Sequence, residues 1–272
     1  MCSSASCARI PRSVVAGPRR RAARTPRAPT LDRLRVDTLL AIEIRDLVKD
    51  YRGLRPLRVQ AFAVQRGECV TLSGLDAAAA EVLVNVVNGF VTPDAGEVRI
   101  FGQATRDIGD GDAWLASLDR LGLVTPRNVL LERLSVRQNL ALPFTVEIEP
   151  MDESTTARAE VVGARVGLVG ETLDGPAANL SSLDRMRLHL ARALALAPAL
   201  LLLEHPTVSL EPRDRGALGT LVRAVAEAER NLTVLAVTQD RAFTDAAAAR
   251  ALKLDPGTGH VSPVSRGWRF WR

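Results

Sequence analysis

Residues 180–212 read LSSLDRMRLHLARALALAPALLLLEHPTVSLEP and decide the fold class. The stretch after Ser182 has apolar residues at helical spacing, and Pro198 interrupts it. The run Leu200–Leu203 then predicts a short buried strand that ends at Glu204 and His205. A fully apolar strand that follows a helix is typical of a parallel sheet with helices on both faces. We therefore expect an α/β domain.

Flanking segments extend this prediction. VTLSGLDAAAAEVLVNVVNG, residues 70–89, predicts a strand ending at Gly74 and a helix ending at Gly89, and LTVLAVTQD, residues 232–240, predicts another buried strand. The alternating runs at 40–51 and 57–68 predict antiparallel strands, and ALKLDPGTGHV predicts a final strand pair. Residues 112–172 are expected to be mostly helical, within a helical insertion at about 112–192. The pattern indicates a parallel sheet with an antiparallel β subdomain.

The charge of the chain is concentrated at its N-terminus. The formal net charge is +5, but residues 1–36 contain nine arginines against one acid, Asp32, so the remaining residues sum to −3. We expect residues 1–39 to be a disordered basic arm, with a targeting peptide or a start site placed too far upstream as alternatives. The folded part gives little reason to expect a nucleic-acid surface.

Other sequence features narrow the function classes. Cys2, Cys7 and Cys69 have no metal-ligand or disulfide spacing, which fits a reducing cytoplasm, and the three histidines are scattered. No apolar run reaches the roughly 18 to 20 residues that a membrane span needs. The C-terminal SRGWRFWR, residues 265–272, is a basic aromatic tail that fits either a membrane interface or a frayed end.

From about residue 41 to 262, the order of these elements resembles the nucleotide-binding subunit of ABC transporters. The resemblance implies a P-loop NTPase-type parallel sheet with a helical signature-motif subdomain, in a cassette at residues 40–264. It also implies ATP and Mg²⁺ as cofactors, and a membrane permease and a second cassette, identical or different, as partners. The expected location is cytoplasmic and peripheral, at the inner face of the plasma membrane. Residues 131–143 resemble the segment that docks a permease, most like exporters of the lipoprotein-release and macrolide type.

The phosphate-binding loop matches the family in position but not in chemistry. The pattern G-x-x-x-x-G-K-[ST] wraps phosphates with backbone N–H groups, while its lysine neutralises phosphate charge and its hydroxyl holds Mg²⁺. Gly74 holds the first position, but Ala79 replaces the second glycine, Ala80 the lysine and Glu81 the hydroxyl. Carboxylates are favoured near a helix N-terminus, so we expect Asp76 and Glu81 to stabilise the helix start in place of a phosphate.

The other nucleotide motifs of the family are changed as well. Glu204 lies at the Mg²⁺ carboxylate position and could still reach a metal, while His205 lies at the position of the catalytic glutamate. The signature LSGGQ becomes Leu180–Asp184, in which Ser181 remains and Ser182 takes the place of the first glycine, while Leu183 and Asp184 add bulk and negative charge towards a γ-phosphate.

Two sensor positions of the family are also changed, whereas the aromatic residue that stacks on adenine is kept. Pro126 replaces the glutamine that contacts the metal and the attacking water, and Gln239 replaces the histidine that grips the γ-phosphate. Tyr51 lies where an aromatic ring stacks on adenine, although a tyrosine at a strand edge explains it equally well.

Three hypotheses follow for the function. The first is an ABC cassette that does not hydrolyse ATP and serves a permease as a structural or regulatory subunit. The second is a working ATPase that energises export, with His205 and Glu204 carrying the chemistry. The third is a soluble pseudo-ATPase that uses the fold for protein interactions.

Overall fold

The computed structural model describes residues 39–107 and 118–264. Four strands of the first range form an antiparallel sheet. Its strands are β1 (Leu40–Lys49), β2 (Leu57–Gln65), β4 (Ala95–Ile100) and β5 (Gln103–Ala104). They lie in the order β2-β1-β4-β5, and all of their pairings are antiparallel. The predicted antiparallel subdomain is confirmed.

A second sheet forms the centre of the molecule. Its strands are β3 (Cys69–Ser73), β6 (Leu121–Val124), β7 (Leu200–Glu204), β8 (Thr233–Val237), β9 (Arg250–Leu254) and β10 (Val261–Pro263). They lie in the order β10-β9-β3-β8-β7-β6, and only β10 runs antiparallel to its neighbour. The predicted central parallel sheet is therefore confirmed.

Six α-helices lie in the described ranges: α1 (Ala77–Val87), α2 (Val136–Ala141), α3 (Glu153–Arg165), α4 (Ser182–Leu194), α5 (Pro212–Ala228) and α6 (Arg241–Ala247). Short 3-10 turns cover Thr105–Asp107, Gly170–Leu173 and Ala177–Asn179. Helix α1 follows β3, and α4 precedes β7, as the sequence predicted. None of the helices in these ranges is long and apolar enough to cross a membrane.

Both faces of the central sheet are buried because successive side chains of a strand point to opposite faces. In β7, Leu201 and Leu203 pack into a cluster shared with α4, α5 and the helical region. Leu200 and Leu202 pack into a second cluster, shared with α1 and the antiparallel sheet. The central sheet is therefore the middle layer, and the ends of its strands are the parts that reach the surface.

One sequence-based expectation is wrong at a single strand. Residues 112–172 are expected to be mostly helical, but residues 121–124 within this range form β6 and pair in parallel with β7. The helix that follows β6 begins at Val136. A four-residue apolar run has no periodicity that distinguishes a strand from a helix, which explains the error. The basic arm and the aromatic tail lie outside the described residues, except for Leu39.

Candidate functional site

Four changed motifs meet at one edge of the central sheet. The parallel strands β3, β6, β7 and β8 end at Ser73, Val124, Glu204 and Val237, so the segments that follow them lie at the same edge. Ligands bind at this carboxyl edge in open α/β sheets. The fold thus gathers the candidate residues that the sequence places far apart.

The loop after β3 keeps the backbone of a tight turn. Gly74 has φ +93°, and a Cβ atom added there would lie 2.0 Å from the carbonyl oxygen of Leu254. Only glycine fits this conformation and this approach. The first glycine of the phosphate-loop pattern is therefore required by the fold, whether or not a phosphate binds.

The start of α1 is satisfied by its own side chain. Asp76 is the N-cap residue, and its carboxylate accepts a hydrogen bond from the backbone N–H of Ala79 at 2.8 Å. The N–H of Ala80 donates to the carbonyl of Asp76. Both alanine side chains are buried, so they contribute no polar group at the surface. These N–H groups, which would point at a phosphate, already have partners.

Glu81 does not stabilise the start of α1, contrary to the sequence-based expectation. It is the fifth residue of the helix, and its carboxylate forms an ion pair with Arg127 at 3.2 Å. The expectation is correct for Asp76 alone, because only the first turn of a helix presents free N–H groups.

Gln239 closes the turn from the opposite side. Its side-chain nitrogen donates to the carbonyl of Leu75 at 2.8 Å, and its side-chain oxygen accepts a long hydrogen bond of 3.4 Å from the N–H of Gly74. The residue at the switch-histidine position therefore binds the loop itself. A phosphate would have to displace the side-chain oxygen of Gln239 to accept a hydrogen bond from the N–H of Gly74.

Glu204 is buried and held by an arginine. Its side chain is 2% exposed and receives two hydrogen bonds from Arg127, at 3.0 Å to Oε1 and 2.6 Å to Oε2. The same guanidinium lies 3.2 Å from Glu81. The hydrogen bond that Arg127 donates to Glu204 is the main cause that raises the pKa of Arg127. Both carboxylate oxygens of Glu204 are thus already occupied by a cation.

Sequence reasoning missed Arg127, although it singled out the neighbouring Pro126. Arg127 follows β6, and its partner Glu204 lies 77 residues later in the chain. The one available signal was that a basic residue follows Pro126 directly. In the ABC family, the segment that contains this position contacts the nucleotide site. Pro126 has no N–H to donate and contributes no polar side chain.

His205 is poorly placed to act as a base. Its backbone has φ +43°, and its N–H donates to the carbonyl of Val237 at 2.8 Å. Its side-chain Nε2 is buried and has no hydrogen-bond partner among the residues that the structure describes. A catalytic histidine needs a group that fixes its tautomer and orientation. His205 lines an open cavity of about 420 Å³ together with Arg215, Gln239 and Arg241.

The signature segment is also closed on itself. Ser181 caps α4 by accepting a hydrogen bond from the N–H of Asp184, and its hydroxyl donates to the Asp184 carboxylate at 2.7 Å. Asp184 is further paired with Arg187 at 2.9 Å. Ser182 is the first helical residue, and Leu183 packs against the helical core. The bulk expected at Leu183 is therefore directed towards the core.

Tyr51 lies beside the altered phosphate loop. It lines a cavity of about 60 Å³ together with Gly74, Asp76 and Ala79. Burial and, to a lesser degree, the Asp76 carboxylate raise the pKa of its hydroxyl. Sites for small ligands usually enclose about 300 to 1,000 Å³. Tyr51 therefore lies next to the phosphate loop, and the cavity that they line encloses less volume than a usual small-ligand site.

The residues at this edge do not fit Mg²⁺ or a polyphosphate. Within residues 39–107 and 118–264, no three acidic, histidine or cysteine side chains cluster in a way that could hold a metal ion. The carboxylate at the metal position is neutralised by Arg127, and Asp76 accepts the hydrogen bonds of the N–H groups of Ala79 and Ala80. The expected roles of ATP and Mg²⁺ thus have no matching ligands here.

Comparison with known proteins establishes the family. The model of the ABC transporter family matches residues 57–208, which is more than half of the chain. The chain belongs to the ABC transporter family. Among its relatives are the L-cystine transport system ATP-binding protein TcyN of Escherichia coli, 32% identical over 80% of this chain and 87% of TcyN. The lipoprotein-releasing system ATP-binding protein LolD of Chromohalobacter salexigens is 31% identical over 71% of this chain and 80% of LolD.

Further matches support the same assignment without singling out a subtype. The methionine import ATP-binding protein MetN of Brucella abortus is 30% identical over 79% of this chain, which spans only 58% of MetN. The structure of cbiO1 from Clostridium perfringens superposes with a TM-score of 0.69 at 20% identity, covering 82% of this chain and 87% of cbiO1. The dimeric ATP-binding cassette MJ0796 bound to ADP and Pi has a TM-score of 0.65 at 23% identity, covering 84% of this chain and all of that cassette. At these identities the two structures show the ABC cassette fold alone.

Proposed function

We propose that this ABC transporter ATP-binding subunit does not hydrolyse ATP and acts as a structural or regulatory cassette. The observation that carries the proposal is the cap at α1, where the Asp76 carboxylate occupies the N–H of Ala79 at 2.8 Å. Phosphate binding at such a loop depends on free backbone N–H groups. A carboxylate bound to one of them places a negative charge where the phosphate should lie.

The charge balance of the site supports the same conclusion. The phosphate loop, α1 and the end of β7 supply three carboxylates, Asp76, Glu81 and Glu204, and Arg127 pairs with the last two. Two unit charges 4 Å apart repel by about 1 kcal/mol in water and by about 4 kcal/mol near a protein surface. A polyphosphate would meet this repulsion without the lysine that normally offsets it.

A membrane permease and a second cassette are the proposed partners. The segment before α2 exposes Val129 and Leu131, whose side chains are 71% and 45% exposed. Ser135 and Gln138 fix the start of α2 with reciprocal hydrogen bonds, so this segment ends on a rigid element. Together with the resemblance of residues 131–143 to a permease-docking segment, this supports attachment at the cytoplasmic face of a membrane.

Nucleotide binding by the purified chain tests the proposal. We expect no measurable heat on titration with Mg-ATP, no binding of fluorescent ATP and no phosphate release. A control variant restores the family pattern with Asp76→Ser, Ala79→Gly, Ala80→Lys and Glu81→Thr, and it should gain nucleotide affinity relative to the natural chain. Micromolar Mg-ATP affinity with turnover that Glu204→Gln abolishes would contradict the proposal and favour the working ATPase.

Cell fractionation tests the proposed attachment of the chain to a membrane permease. A tagged chain should sediment with membranes and copurify with an integral membrane protein that mass spectrometry identifies as a permease. A chain found entirely in the soluble fraction, at the expression level of the natural gene, would contradict this part of the proposal. It would favour the hypothesis of a soluble pseudo-ATPase that uses the fold for protein interactions.

A further inference from the structure

One guanidinium contacts two carboxylates that come from different elements. Nη1 of Arg127 lies 3.0 Å from Oε1 of Glu204, at the end of β7, and 3.2 Å from Oε2 of Glu81, in α1. Nη2 lies 2.6 Å from the second oxygen of Glu204. A single nitrogen position is therefore within contact distance of both acids.

These two acids occupy the positions that the ABC family uses for the metal. By the resemblance, Glu81 replaces the hydroxyl that binds Mg²⁺, and Glu204 lies at the carboxylate position that holds it. Exchange of the hydroxyl for a carboxylate increases the negative charge that a cation must balance at this point. Since Glu204 is 2% exposed, its charge needs a partner within the fold.

We propose that Arg127 is a tethered counter-ion that occupies the position of the metal, so that removal of its charge uncovers a divalent-cation site between Glu81 and Glu204. Arg127 belongs to the segment between β6 and α2, and it therefore joins the central sheet to the helical region without metal or nucleotide. The inference rests on the proposed function, because a cassette that used Mg-ATP would need this position for the metal.

Metal binding in the absence of nucleotide tests the inference. The variant is Arg127→Met, and the matched control is Arg137→Met, since Arg137 also contacts two carboxylates, Glu160 and Asp174. Mn²⁺ binding is measured by electron paramagnetic resonance, and the unfolding midpoint is measured with Mg²⁺ or with a chelator. Arg127→Met should bind Mn²⁺ at least about tenfold more tightly than the natural chain or the control. It should also be stabilised by Mg²⁺, to which the natural chain does not respond.

Two further results decide the assignment. Adding Glu204→Gln to Arg127→Met should abolish the metal response, since it removes one of the two charges. The inference is overturned if folded Arg127→Met ignores Mn²⁺, or if the natural chain binds Mn²⁺ equally well. If Arg127→Met does not fold alone, refolding with Mn²⁺ should rescue it, and failure of that rescue overturns the inference too. Nucleotide titration of the natural chain tests the proposed function separately, because the Mn²⁺ experiments contain no nucleotide.

Discussion

Loss of the Arg127 charge should destabilise the protein because it leaves Glu204 buried without a partner. Removing one member of a buried ion pair typically costs about 3 to 5 kcal/mol. Glu204 is 2% exposed, but the Arg127 side chain is 47% exposed, so water reaches part of the vacated space. We therefore expect Arg127→Met, without added metal, to lower the free energy of unfolding by about 2 to 3 kcal/mol.

A double-mutant cycle separates this cost from a general packing effect. Glu204→Gln removes the buried charge, so Arg127→Met/Glu204→Gln should be more stable than Arg127→Met alone by about 1 to 2 kcal/mol. Arg137→Met is the comparison, because its partners Glu160 and Asp174 are 51% and 69% exposed and remain hydrated. Its cost should stay below about 1 kcal/mol.

Urea denaturation is the appropriate assay, because guanidinium salt screens the ion pairs under study. The midpoint and the slope are compared, and an unchanged slope indicates that the change lies in stability. The reasoning would be refuted if Arg127→Met stayed within about 0.5 kcal/mol of the natural chain, or if the double variant were less stable than Arg127→Met.

Three other predictions follow from single contacts. Asp76→Ala removes the cap of α1 and should lower the free energy of unfolding by about 1 kcal/mol, measured by urea denaturation. An unchanged free energy of unfolding would contradict a stabilising role of the cap. Gly74→Ala places a Cβ against the carbonyl of Leu254 and should cost at least about 1 to 3 kcal/mol, seen as a lower melting temperature. Burial, aided by Arg192, lowers the pKa of His189 to about 4, so the unfolded chain binds the extra proton first on acidification. The contribution of His189 to the free energy of unfolding is therefore fully present above a pH of about 6.5 and is lost as the pH falls towards 4. His189→Gln should reduce the pH dependence of the free energy of unfolding in this range.

Local sequence patterns were sufficient for most of the architecture. The strand, glycine and helix at residues 70–89 are β3, Gly74 and α1, and the helix and strand at 180–204 are α4 and β7. In these segments, the spacing of the apolar residues and the positions of the turn residues predict the same helix or strand. Local preference and burial therefore select the same structure. β6 was missed because its four residues carry too little pattern to show a period.

Local patterns were less informative about the site. The resemblance to the ABC family identified Glu81, Glu204 and Gln239 as changed positions, and the parallel sheet brings the segments that contain them to one edge. Neither the local patterns nor the resemblance showed what the new side chains bind. Glu81 was expected at the helix start but pairs with Arg127 instead, because its position in the helix directs it away from the free N–H groups.

The sequence by itself determined the order of the strands and helices except for β6, the ABC transporter family and the positions at which its nucleotide motifs are altered. Those features depend on neighbouring residues, because hydrophobic period, turns and motif spacing are local properties of the chain. Only the tertiary structure decided that Arg127 joins Glu81 to Glu204, since those residues are 46 and 77 positions away from it. Ion pairing depends on distance and burial in space, and the fold of the parallel sheet sets both.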